Sequence, residues 1–256
     1  MMALFYFHSM LRMRKPEKFI FLISHMRSGS SLLTHLLASN EEVNAYGETY
    51  IRYDCEKSFE NLICNVRLNL RNFFGFQENR IYMDKILHNF LLIPENLKLF
   101  MDKKVKFIYL LRSPKDSMNS LINTFSMTTS KAYNYYKARL CWIEKMILID
   151  AGYSEKYFLN YEDLKNNTDK QLKALTNYLC LNSCIKNSYT IFRTTGKRGA
   201  GDIGKNIFKG KIVNTPTSKE YIGIDEDKQK NIKALYRRIR SMLEKNVLHV
   251  TNFYSK

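Results

Sequence analysis

Phe19-Ile20-Phe21-Leu22-Ile23-Ser24-His25-Met26-Arg27-Ser28-Gly29-Ser30-Ser31-Leu32-Leu33 is an apolar run, then a short turn with one arginine and one glycine, then a helix start. A buried strand that delivers a hydroxyl-rich turn to a helix N-terminus builds an anion site. The turn amides and the positive end of the helix dipole point at the same place. Phosphate or sulfate held there needs few side chains, and Arg27 adds a permanent charge with a planar donor fork at the rim. The turn is not that of a nucleotide triphosphatase, which sets a lysine and then Ser or Thr directly after its second glycine. Here Ser30 follows Gly29, and the cation comes before it.

Further along, Lys106-Phe107-Ile108-Tyr109-Leu110-Leu111-Arg112-Ser113-Pro114-Lys115-Asp116-Ser117-Met118-Asn119-Ser120 is a second apolar strand running into a helix. Pro114 suits the first helical turn and Ser113 its N-cap. Arg112 ends the strand, and Ser120 lies about two turns into the helix. A helix cap and an exposed serine would account for this segment by itself. A third strand ends in Phe158-Leu159-Asn160-Tyr161-Glu162-Asp163-Leu164, and Lys197-Arg198-Gly199-Ala200-Gly201-Asp202-Ile203-Gly204-Lys205-Asn206 is basic, glycine-rich and poor in apolar residues.

Taken in order, these segments resemble the sulfotransferases that use 3′-phosphoadenosine 5′-phosphosulfate (PAPS), over about residues 18–210. The resemblance implies an α/β fold: a three-layer sandwich with a central, mainly parallel sheet flanked by helices and a P-loop-like strand–loop–helix. It implies that Arg27, Ser28, Gly29, Ser30 and Ser31 hold the 5′-phosphosulfate and that Arg112 and Ser120 grip the 3′-phosphate. Tyr161 would lie on the adenine side, and Lys197, Arg198 and Gly199 would close over the 3′-phosphate. In that last loop the two cations are swapped relative to the family's Arg-Lys-Gly, the spacer is shorter and an aromatic is missing. PAPS is the only cofactor implied, as co-substrate, and no metal: Arg27 and the loop amides supply the positive potential, with Arg27 stabilising the bridging oxygen and the leaving group.

Sulfuryl transfer also needs a base for the acceptor hydroxyl, with positioning and electrostatics doing most of the rest, as in phosphoryl transfer. Glu48, in Asn44-Ala45-Tyr46-Gly47-Glu48-Thr49-Tyr50, follows the first helix and a short strand. Carbohydrate-type and many bacterial sulfotransferases carry a similar Gly-Glu segment, and its Glu serves as base. His88 is the rival: Lys85-Ile86-Leu87-His88 resembles the Lys-Thr-His-Leu-Pro segment of the cytosolic small-molecule enzymes, with a one-residue offset and no adjacent proline. Glu48 is favoured. Arg27, where the cytosolic enzymes carry lysine, also points to the glycan-type branch. The partners implied are a nucleotide donor and a hydroxyl acceptor, a glycan or glycolipid. His25 and His35 read as structural.

The 256 residues carry 41 Lys and Arg against 24 Asp and Glu, a formal charge of +17. The cations are spread along the chain rather than gathered in an arm, which speaks against nucleic acid. A polyanionic donor accounts for part of the excess, and an acidic glycan or peripheral contact with an anionic membrane for more. Two other classes compete. A P-loop-type nucleotide kinase or NTPase is opposed by the missing lysine. A non-catalytic basic protein binding anions or nucleic acid explains the charge but not the ordered motifs.

No stretch approaches the roughly 20 apolar residues of a membrane span. Residues 1–17 read as an N-terminal tail and 18–256 as one sulfotransferase domain. In the tail, Arg12-Met13-Arg14-Lys15 follows the apolar residues, the reverse of a signal peptide, so the expectation is a cytoplasmic enzyme. The five cysteines include no Cys-x-x-Cys pair and read as mostly reduced core residues.

Apolar runs near 18–24, 105–111 and 156–160, with shorter ones near 42–46 and 80–86, alternate with helical patterns and predict a covered parallel sheet. Tyr136, Leu140, Ile143 and Ile147 recur at helical spacing, widened by Trp142 and Met146. Thr168-Asp169-Lys170-Gln171 reads as a capping box. Asp225-Glu226-Asp227 opens a last helix with Ile232, Leu235, Ile239 and Leu243 on one face. Residues 185–224 show no period and read as a mostly irregular lid.

Overall fold

The computed structural model describes residues 18–70, 81–92, 96–149, 155–193, 195–196, 204–213, 221 and 223–246. Among these, β1 (Lys18–Ser24), β2 (Val43–Asn44), β3 (Ile81–Ile86), β4 (Lys106–Leu111) and β5 (Lys156–Asn160) form one parallel sheet in the order β2-β3-β1-β4-β5. The helices are α1 (Ser30–Ala38), α2 (Lys57–Leu70), α3 (Leu97–Asp102), α4 (Pro114–Phe125), α5 (Thr129–Ile149), α6 (Tyr161–Asn166), α7 (Thr168–Leu179) and α8 (Glu226–Asn246).

The strands read as continuous apolar runs because helices cover the sheet on both sides. Phe19, Phe21 and Ile23 of β1 pack with Phe59 and Leu62 of α2, Phe100 of α3 and the apolar stripes of α5 and α8. Ile20 and Leu22, one residue out of phase, pack on the other side with Leu33, Leu36 and Leu37 of α1 and Leu172 and Leu175 of α7. Three layers result, as the resemblance implied. β1 has β3 on one side and β4 on the other. Crossovers leave it in both directions, and in such sheets the ligand crevice opens at the carboxyl ends of the strands where the direction changes.

Local chemistry sets the ends of several elements. Ser113 caps α4, accepting from Asp116 N at 3.3 Å, with Pro114 next in the first turn. Asn160 Oδ1 accepts from Glu162 N at 2.9 Å to cap α6, while its Nδ2 donates to Tyr236 of α8 at 2.7 Å. α8 buries Ile232, Ile239 and Leu243, with Leu235 half-buried against the same core.

Three expectations are corrected. The capping box at Thr168 does not form: α6 ends just before it, and Thr168 Oγ1 donates instead to the carbonyls of Leu164 (2.9 Å) and Lys165 (3.3 Å). The cysteines are free thiols but not core residues; Cys55, Cys141, Cys180 and Cys184 are exposed and Cys64 half-buried. The strand expected near 42–46 is only two residues long. Among the described residues of the late segment there are a 3-10 turn at Lys205–Lys209 and an antiparallel bridge from Ser188 to Lys211. Residues 1–17, and Lys197, Arg198 and Gly199, lie outside the described residues. Among the described residues no helix is long and apolar enough to cross a membrane.

Candidate active site

Sheet register brings the functional segments level. Ile23 pairs with Ile86, Ser24 with Leu110, and Leu111 with Asn160. The turn after β1, His88 after β3, Arg112 after β4 and Tyr161 after β5 therefore leave the same edge. They open onto one cavity of about 410 Å³. Arg27, Gly29, Ser30, Ser31, Glu48, His88, Arg112, Ser120 and Tyr161 all line it.

The turn after β1 is shaped by two left-handed residues, Arg27 at φ 64° and Gly29 at φ 94°, the latter in the N-cap place of α1. Gly29 is required twice over. A Cβ there would sit 2.3 Å from Tyr161 Cδ2, so the Tyr161 ring rests directly on the turn. The Arg112 guanidinium lies over the same ring, 4.7 Å from its centroid, and its Nη1 donates to Arg27 O at 3.0 Å. Arg112 Nε is buried with no hydrogen-bond partner. A donor left in that state on a cavity wall fits an anionic ligand. Arg27 Nε donates to Ser120 Oγ at 2.9 Å, tying the turn to α4.

Ser28 does not line the cavity. It is buried, shares a 2.6 Å hydrogen bond with Ser24 Oγ, and accepts from Ser30 N at 3.2 Å, so its side chain braces the turn from within. His25 is also buried: Nδ1 donates to Met26 O at 2.9 Å and Nε2 accepts from Arg112 N at 3.2 Å. Burial pulls its pKa down to about 3, so it is a neutral brace for Arg112.

Opposite the turn stands a wall built by alternation in β3. Lys85 points to the α1 side, where Nζ lies 3.0 Å from Glu48 Oε1 and donates to Ser31 Oγ at 3.1 Å. Asp84 points to the other side and accepts from Thr49 N (3.2 Å), Tyr53 (2.8 Å) and Lys85 N (2.8 Å). Neighbouring charges thus fix the Glu48-Thr49 segment. Lys85 was missed by sequence reasoning as a site residue. The signal was present: two charges, Asp84 and Lys85, inside an otherwise apolar strand.

The two rival bases stand together, with His88 Nε2 3.9 Å from Glu48 Oε2. Burial holds the His88 pKa below its ordinary value, although the Glu48 charge opposes this, so the imidazole is neutral near pH 7. Its ring is stacked between Tyr50 (centroids 5.7 Å) and Phe90 (5.6 Å). Burial and the Glu48 charge push the Tyr50 hydroxyl up to about 12. On the remaining side, Tyr189, Asn206, Ile207 and Lys211 of the late segment line the cavity; Lys211 is a second cation the motifs did not single out. Among the described residues, no group of three or more His, Cys, Asp or Glu is placed to hold a metal ion.

A model of the sulfotransferase domain family matches residues 17–188. No curated protein sequence matches the chain. Among solved structures, the sulfotransferase domain from the Synechococcus PCC 7002 olefin synthase superposes with a TM-score of 0.54 at 17% identity, covering 87% of this chain and 94% of that one. Mouse sulfotransferase SULT7A1, complexed with 3′-phosphoadenosine 5′-phosphate (PAP), gives 0.51 at 14% identity, covering 91% and 88%. At these identities the structural likeness is one of fold.

Two expected outcomes follow from the geometry. Gly29→Ala should cost about 2–4 kcal/mol in urea denaturation, from overpacking against Tyr161 plus left-handed strain. In a Tyr161→Ala background the same change should cost only about 1–2 kcal/mol, the strain alone; equal costs in both backgrounds would show that Tyr161 does not rest on the turn. Asp84 supplies a pH signature. Burial raises its pKa from 3.8 to about 6, so the folded protein binds this proton as pH falls through about 6, and the unfolded chain only near 3.8. Wild type should therefore gain stability relative to Asp84→Asn between about pH 6.5 and 4, with the advantage lost as pH rises through about 6. A stability difference that does not change with pH would contradict this.

Proposed function

Because this chain belongs to the sulfotransferase family and is a PAPS-dependent enzyme, we propose that it transfers the sulfuryl group of PAPS to a hydroxyl of a carbohydrate or glycolipid. One observation carries the reading: an anion-binding helix start, two arginines and the Glu48–His88 pair converge on a single cleft. The amides at the start of α1, with Ser30 and Ser31, hold the 5′-phosphosulfate. Arg112 holds the 3′-phosphate, where its unpaired Nε gains a partner, and Ser120 adds a hydroxyl. Tyr161 flanks the adenine. Lys197, Arg198 and Gly199 keep the role of closing over the 3′-phosphate.

In the transfer, the bond from sulfur to the bridging oxygen breaks as a new bond forms from sulfur to the acceptor oxygen. An oxygen set between Glu48 Oε2 and His88 Nε2, which are 3.9 Å apart, is in hydrogen-bond reach of both. His88 Nε2 takes the acceptor proton, and the Glu48 carboxylate orients the hydroxyl and holds the imidazolium that forms. The rivals of the sequence become partners. Arg27 neutralises the charge gathering on the bridging oxygen, and the 5′-phosphate leaves with PAP.

A sugar acceptor is supported by exposed aromatic rings: Tyr50, on the cavity wall, and Phe90 both stack on His88, and Phe125 lines the cavity beside Arg27. The charge of +17 supports an acidic glycan or the surface of an anionic membrane as its setting. Free thiols, four of them exposed, support a reducing, cytoplasmic compartment.

Transfer of label from PAPS to mixed glycans and glycolipids tests the assignment. Arg27→Ala and Arg112→Ala should each lower it by about 100-fold or more with the fold intact. Glu48→Gln and His88→Asn should lower turnover by about 100-fold while still binding PAP. Wild-type transfer by either arginine variant would overturn the donor site, normal turnover in His88→Asn would overturn the base, and normal turnover with weakened PAP binding in Glu48→Gln would overturn the orienting role of Glu48.

A further inference from the structure

His35 lies on α1, one turn past Ser31, and is buried. Its Nδ1 donates to Ser31 O at 2.7 Å, which leaves Nε2 to accept from Thr195 Oγ1 at 2.8 Å, 160 residues away. The ring stacks on Phe192 with centroids 4.0 Å apart, and meets Tyr189 edge-on at 5.4 Å. Just past the end of α1, Ser39 Oγ accepts from Thr190 N at 2.8 Å. The attachment is then passed on. Tyr189 N donates to Gly210 O at 2.8 Å and its hydroxyl to Ile207 O at 3.0 Å, fixing the short turn that carries Asn206, Ile207 and Lys211 to the cavity.

We propose that His35 is a latch: a positioning residue that sets the late-segment wall against the donor nucleotide and so raises the affinity for PAPS and PAP. This rests on the reading of the cleft as the PAPS site. The physical argument is preorganisation. Among its described residues the late segment has little regular structure beyond one 3-10 turn and one bridge, and ordering those residues at each binding event would subtract from affinity. His35 orders it in the free protein, and it does so from the same helix turn whose amides face the phosphosulfate. An apolar side chain would fill the gap equally well. What the latch needs is an acceptor at the place of Nε2 to meet Thr195, which an apolar side chain lacks.

Calorimetric titration of the full chain with PAP tests the latch, alongside the melting temperature of each variant. Gln extends its amide to about the place of Nε2, and Asn only to that of Nδ1. Thr195→Val, which removes the hydroxyl alone, and His35→Asn should each weaken PAP binding about 3- to 10-fold. His35→Gln should stay within about twofold of wild type. If His35 only packs, Asn and Gln will lower the melting temperature alike and Thr195→Val will bind PAP as wild type does; that result overturns the latch. Failure of the wild type itself to bind PAP would overturn the donor-site reading, and the latch with it.

Discussion

The guanidinium of Arg139 holds the site together. Fully buried on α5, it donates through Nε to Ser24 O at 2.7 Å, through Nη2 to Ile86 O at 2.5 Å, and through Nη1 to Asn89 Oδ1 at 2.8 Å. Its flat face lies 4.1 Å from the Trp142 ring. Ser24 and Ile86 are the last residues of β1 and β3, so one side chain fixes the spacing between the strand that leads into the turn before α1 and the strand that leads to His88. Burial lowers its pKa to about 9, which still leaves it charged near neutral pH. Carbonyl and amide dipoles, rather than a carboxylate, solvate that charge. Its field also reaches the site, since it disfavours protonation of both His25 and His88.

From that clamp the two halves of the chemistry follow. On one side, left-handed backbone at Arg27 and Gly29 shapes the turn before α1, and Tyr161 closes against that turn only because Gly29 has no Cβ. On the acceptor side, alternation in β3 sends Asp84 and Lys85 to opposite faces, and both return to the Glu48-Thr49 segment. Lys85 also reaches Ser31, so the two halves are joined by one buried ammonium. A buried pair of this kind contributes little net stability but is costly to break, which favours a single arrangement of the site.

Much of this was legible in order along the chain. The strand–turn–helix at 18–33, the Arg112-to-Ser120 spacing and Tyr161 are local patterns, and local patterns survive in sequence. Missing from the sequence reading were contacts made across the fold. Arg139 sits three residues after Tyr136 and one before Leu140, inside the apolar stripe of α5, where its charge was the available signal. Glu48 and His88 looked like alternatives from two branches because nothing local says that β3 lies beside the loop after β2. Ser28 matched the motif but turned inward, since a turn this tight needs a hydroxyl of its own to satisfy Ser30 N. Thr168 matched a cap and was taken by the helix end in front of it. The cysteines were judged by residue type, and burial is decided by which face of an element the position occupies.

A cleft that serves PAPS must take a 3′,5′-bisphosphate in preference to a nucleoside triphosphate. Calorimetric titration of the wild-type chain with PAP, beside ATP with magnesium, tests it most directly. The account predicts saturable binding of PAP with one site per chain and none of ATP. Binding of ATP with magnesium and none of PAP would contradict it, leaving a correctly identified anion site assigned to the wrong nucleotide.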